Sequence, residues 1–99
     1  MEVKYSDHLR FKLRVRRIPK DLPEQIYRES GQRYYNHHTL RRTAVMQVQY
    51  QRRRTLMMIA YDQHRDHAEI ITIHPITRQQ IEERLNTGRW THEPAHVEL

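Results

Sequence analysis

The sequence predicts a small α+β domain with the order ααββββα, a four-stranded antiparallel sheet packed against helices. Capped segments with apolar residues at helical spacing stand at both ends. Between them, Arg33 to His74 is rich in β-branched and aromatic residues and broken only by short connections. The chain's two glycines, Gly31 and Gly88, each follow an expected helix, where a left-handed terminator is wanted.

The first helix is expected over 7–17. Ser6 is placed to cap it, Asp7 suits its dipole, and Leu9/Leu13 and Phe11/Val15 repeat at four. Ile18-Pro19 should end it, because the residue before proline avoids the helical region. Asp21-Leu22-Pro23-Glu24 reads as a capping box opening a helix over 22–30. Strands are expected at 34–39, 43–51, 55–62 and 68–74, and short connections make them an antiparallel meander. In the last strand, alternation sends Ile71 and Ile73 toward the helices and Ile70, Thr72 and His74 to the other face. Thr77 to Gln80 forms a second capping box for a helix over 78–87. A chain of 99 residues holds one domain, expected at 1–90, with a loose tail over 91–99.

Absence of cysteine excludes disulfides and thiolate zinc sites. No apolar run approaches the roughly 20 residues that span a bilayer, and the N-terminus reads as neither a signal nor a transit peptide. A cytoplasmic protein with no membrane association is the expectation.

Charge is the strongest compositional signal. Eighteen Lys and Arg oppose twelve Asp and Glu, for a formal +6, and only Lys4, Lys12 and Lys20 are lysine. Arginine presents a planar fork that suits phosphate. The cations are also segregated. Arg10, Lys12, Arg14, Arg16, Arg17 and Lys20 fall in 8–20 without an acid, and Arg41, Arg42, Arg52, Arg53 and Arg54 fall in 41–54 without one. A directed basic surface of this kind is expected to meet a polyanion, with RNA first.

His8, Lys12 and Arg16 repeat at four and form one helical stripe. A histidine beside two cations suits RNA cleavage, because histidine moves protons near neutral pH and cations stabilise charge on phosphoryl oxygens. A solvated basic helix face with a histidine on it is the plain alternative. His74, after Thr72 and before Pro75 at a strand end, is the second proton-transfer candidate; a strand-capping role is its alternative. His37-His38, His64/His67 and His92/His96 do not read as a metal site, since adjacent strand residues face apart and no acid completes a set. Neither metal nor cofactor is expected. Tyr34, Tyr35, Tyr50, Tyr61 and Trp90 are interleaved with cations and divide between core packing and base stacking. Met46, Met57 and Met58 are expected core filler.

The opening Ser6-Asp7-His8-Leu9-Arg10-Phe11-Lys12-Leu13-Arg14-Val15-Arg16-Arg17-Ile18 resembles the start of a widespread prokaryotic domain family of unknown function, with Met58 to Asp62 and Ile70 to Pro75 resembling its closing strands. That family is similar in fold to the RelE and BrnT toxins, small metal-independent ribonucleases. The resemblance implies RNA as substrate, cleaved by its own 2′-hydroxyl, and an acidic antitoxin as partner. It places His8, Lys12, Arg16, Thr72 and His74 at the site. Lys12 departs from the family's usual arginine and Arg17 from its usual glycine. The expectation is therefore a toxin-type endoribonuclease in which Arg10, Arg14, Arg17, Arg41, Arg42, Arg52, Arg53, Arg54 and Thr72 contact the nucleic acid. The alternative is a non-catalytic RNA- or DNA-binding module, or an accessory protein for an acidic partner. Oligomeric state has no sequence signal.

Overall fold

The computed structural model describes residues 1–94. Its elements run β1 (Glu2–Tyr5), α1 (Asp7–Val15), α2 (Leu22–Glu29), β2 (Gln32–Asn36), β3 (Arg41–Tyr50), β4 (Arg53–Gln63), β5 (His67–Pro75), α3 (Arg78–Asn86) and β6 (Trp90–Glu93). The architecture is α+β, with three helices on a six-stranded mixed sheet of order β1-β5-β4-β3-β2-β6. The expected antiparallel meander is its centre, and two short strands extend it. β1 joins β5 in parallel, and β6 joins β2 in antiparallel register. Each has four residues, too few for alternation to stand out in sequence. The expected loose tail is corrected in its first part, because Thr91, His92 and Glu93 pair with Tyr35, Tyr34 and Arg33. The end of that tail, with His96, lies outside the described residues.

Local chemistry sets the boundaries. Thr77 forms its capping box with Gln80 in both directions. Asp21 makes no side-chain cap, so the box expected there is absent and the proline in the first turn opens α2 without it. Gly88 takes a left-handed φ of 77°, but Gly31 does not, and Ser30 ends α2 in extended conformation. The left-handed residue closing α1 is Arg17, at φ 53°, two residues before Pro19. β2 stops at Asn36 rather than 39, because the Asn36 side chain accepts from the backbone of His38 (2.9 Å) and Thr39 (3.2 Å) and turns the chain.

The sheet buries both faces. Leu9, Leu13, Ile26 and Tyr27 of α1 and α2 pack on Ala44, Met57, Ile59, Ile70 and Ile73. Ile81 of α3 packs with Tyr34, Val45, Met58 and Trp90 on the opposite face. Phe11 and Val15, each 59% exposed, do not join the core, so only the Leu9/Leu13 half of the first-helix pattern is buried. Arg33 is buried and donates to the Tyr61 hydroxyl and to the carbonyls of Ser30 and Tyr27, tying α2 to the sheet.

A bulge in β5 changes the expected facing. Ile70 pairs with Tyr61 and Thr72 with Ala60, leaving Ile71 without an opposite residue. Ile70 and Ile73, not Ile71 and Ile73, therefore face α1 and α2, while Thr72 and His74 lie opposite Ala60 and Met58 on the α3 face. Ser6 secures this step. Its amide donates to Ile70 O (3.0 Å), its hydroxyl donates to Ile71 O (2.9 Å), and the same oxygen accepts from the Leu9 amide (3.0 Å). One hydroxyl thus caps α1 and holds the bulged carbonyl. Ser6→Ala is expected to cost about 2 kcal/mol, from a lost cap and an unpaired carbonyl. Urea denaturation measures it, and an unchanged midpoint would show that the Ser6 hydroxyl does not hold the bulge.

Candidate nucleic-acid interface

β1 pairs only with His67 to Ile70, so the second half of β5 is an open sheet edge beside α1. Lys12 lies on the α1 flank nearest that edge, and its Nζ donates to Thr72 Oγ1 at 3.3 Å. His74 follows two residues on, half-buried, with Nδ1 3.2 Å from Pro75 O. A carbonyl accepts only, so Nδ1 carries the hydrogen and Nε2 is the basic nitrogen. Burial lowers the His74 pKa; the Pro75 contact pulls the other way, and Lys12 and Arg84 add to the lowering. Lys12 is itself lowered by burial and then by Arg16.

Arg84 is the member that the sequence did not expose. Its guanidinium sits 4.9 Å from the centre of the Trp90 ring, with Nη1 3.8 Å from Met58 Sδ, and Met58 is the cross-strand partner of His74. Burial and then Arg89 lower its pKa, against Glu83. No carboxylate reaches ion-pair distance of Lys12, Arg16 or Arg84 among the described residues. α1, β5 and α3 thus hold like charges around a neutral imidazole, an arrangement able to take a phosphate diester. Helical spacing does not connect Arg84 to β5, so the sequence carried no signal for it.

His8 lies one turn before Lys12, exposed, and its imidazole forms no hydrogen bond among the described residues. At 3.6 residues per turn, Phe11 and Val15 lie beside the His8, Lys12 and Arg16 stripe, whereas Arg10 and Arg14 lie across the helix from it, and Arg17 follows the helix end in left-handed conformation. Arg10 and Arg14 line an 820 Å³ groove with Glu2, Lys20, Asp21 and Glu24, so their surroundings are mixed in charge.

The second cation cluster divides as well. Arg41 pairs with Asp62 (3.2 Å) and Arg42 with Glu93 (3.3 Å), acids supplied by other strands. Arg52, Arg53 and Arg54 lie roughly 30 Å away, at the far end of a ten-residue strand. They are near the C-terminus of α1, where the Tyr50 hydroxyl donates to Arg16 O at 3.4 Å. Gln51 and Arg52 form a two-residue turn with φ of 50° and 62° and no glycine.

Of the aromatic candidates, Tyr34, Tyr61 and Trp90 are buried and only Tyr35 and Tyr50 are partly open. His64 and His67 stack on each other at 4.5 Å, and His67 contacts Asp66. No three potential metal ligands cluster among the described residues, and no helix among them is long and apolar enough to cross a membrane. No protein-family model matches the chain, and no curated protein or solved structure is found to be similar to it.

Two expectations follow. The folded state holds His74 below its usual 6.5, so the unfolded chain binds the extra proton. The associated stability is present above about pH 6.5 and lost as pH falls through the folded value. NMR titration should give His74 a midpoint below 6.5, rising in Lys12→Met; a wild-type midpoint at or above 6.5 contradicts this environment. In the hairpin, Gln51→Asn with Arg52→Gly should add about 1–2 kcal/mol by relieving left-handed backbone. Thermal melts read the effect; absence of the stability gain would show that the turn is unstrained.

Proposed function

We propose that the protein is a metal-independent endoribonuclease of the toxin type. The observation that carries this reading is His74, half-buried and disfavoured as a cation, set between Lys12 with Thr72 on one side and Arg84 on the other. His74 Nε2 takes the proton of a substrate 2′-hydroxyl. The 2′-oxygen attacks the adjacent phosphorus, the bond from phosphorus to the 5′-oxygen breaks, and His8 supplies the proton that the leaving 5′-oxygen needs. Lys12, Arg16 and Arg84 neutralise the charge that grows on the phosphoryl oxygens. The exposed Phe11 offers a surface for an unpaired base.

The toxin-family resemblance gains support at one residue. Arg17 has φ 53°, a conformation that glycine adopts without cost, and glycine is the residue that family carries there. An acidic antitoxin fits the same reading, since it would cover the cations of α1 and of the hairpin that have no acidic partner among the described residues.

The test is incubation with end-labelled RNA of varied sequence in excess chelator. Wild-type protein should leave 2′,3′-cyclic phosphate ends, and His74→Ala and His8→Ala should each lower the rate about 100-fold or more. Binding without any cleavage across pH would establish a binding module instead. Full activity in His74→Ala would remove that residue from the chemistry.

A further inference from the structure

A second concave site adjoins the first through Arg84. Its volume is about 550 Å³, and His37, His38, Gln80, Glu83, Arg84 and Arg89 are among its lining residues. That lies within the roughly 300–1,000 Å³ typical of small-ligand sites. One wall is the turn after β2; the other is the end of α3 and the start of β6. We propose that this cleft is a nucleotide subsite for single-stranded RNA. A backbone phosphate lies on Arg84 and Arg89, and its base lies against His38 and the polar edge of Gln80 and Glu83. The proposal rests on the ribonuclease reading, because the strand it guides is the one held at His74.

The cleft is preformed. Asn36 fixes the turn through the amides of His38 and Thr39, and the His37 amide donates to Arg89 O at 2.8 Å. The His37 ring is held at Nε2, 3.0 Å from Thr91 Oγ1. Arg84 is fixed against Trp90 without a carboxylate partner, and the buried Nε of Arg89 has no hydrogen-bond partner among the described residues. Two guanidiniums lining one cleft, that of Arg84 held against Trp90, suit a phosphate. The last turn of α3 does not oppose them strongly, since Glu83 O, Arg84 O and Leu85 O already accept from Thr87 N, Thr87 Oγ1 and Gly88 N. Glu83, the acid in the lining, then serves as an acceptor for an exocyclic amine, and His38 is an exposed imidazole on which a base can stack. Arg84 touches Met58 beside His74 on one side and borders this cleft on the other, so a single strand can contact both places.

The test measures fluorescence anisotropy of dye-labelled 2′-O-methyl di- and tetranucleotides, which cannot supply the attacking hydroxyl. The tetranucleotide should bind wild-type protein about tenfold more tightly than the dinucleotide, as one extra stacked base provides. Arg89→Gln and His38→Ala should each remove that gain and leave dinucleotide binding nearly unchanged. Circular dichroism checks folding, and the exposed His38 variant decides if Arg89→Gln does not fold. A length gain that survives in the folded variants overturns the subsite and leaves the ribonuclease reading intact. Equal affinity for the two lengths, with polyglutamate displaced by Arg89→Gln, overturns it in favour of an acidic protein. No binding of either oligonucleotide to wild-type protein overturns both readings.

Discussion

The Ser6 hydroxyl is the contact on which the arrangement of the site depends. It ends β1, begins α1 and holds the carbonyl of the extra residue in β5. Without that extra residue, simple alternation would carry Thr72 and His74 in step with Ile70, the residue buried against α1 and α2. With it, Ile70 and Ile73 both enter the core, and Thr72 and His74 turn to the face that α3 shares. The same step ends the pairing of β1, leaving the edge of β5 open for Lys12 to reach around. Bulges commonly re-aim side chains in this way, and this one brings a helix-borne cation and a strand-borne imidazole to one place.

Electrostatics separates cations that hold the fold from those available to a ligand. Arg41 and Arg42 are paired across strands, and Arg33 is committed to two carbonyls and a tyrosine hydroxyl inside the core. Lys12, Arg16, Arg84 and Arg89 instead gather around His74 and the adjoining cleft, with Glu83 the acid nearby. Assembling like charges costs stability, and so does a left-handed turn built from Gln51 and Arg52. Both costs fall where the basic surface has no acidic partner among the described residues. An arriving phosphate would relieve the first by neutralising the charge and releasing counterions.

The sequence was informative where local rules act alone. Ser6 and Thr77 cap their helices as their positions predicted, and the four central strands follow from β-branched and aromatic runs. The stripe of Lys12 and Arg16 and the placement of Thr72 with His74 opposite the first-helix core were also readable, although alternation assigned Ile71 wrongly because nothing local marks the bulge. What escaped were relations fixed by tertiary pairing. β1 and β6 are too short to announce themselves and exist because β5 and β2 offer edges. Asp62 and Glu93 pair with Arg41 and Arg42 in a run that looked purely basic, because the sheet brings β4 and β6 within reach of the start of β3. Arg84 belongs to the site only because α3 crosses the sheet beside Met58.

On the ribonuclease reading, the open edge of β5, and not the wider basic surface, receives the RNA phosphate. Chemical-shift mapping with a non-cleavable 2′-O-methyl trinucleotide tests it most directly. The largest shifts are expected at Thr72, His74 and the Lys12 side chain, with smaller ones in the Gln51 to Arg54 turn. Shifts confined to that turn, or to Arg10 and Arg14 across α1, would contradict it.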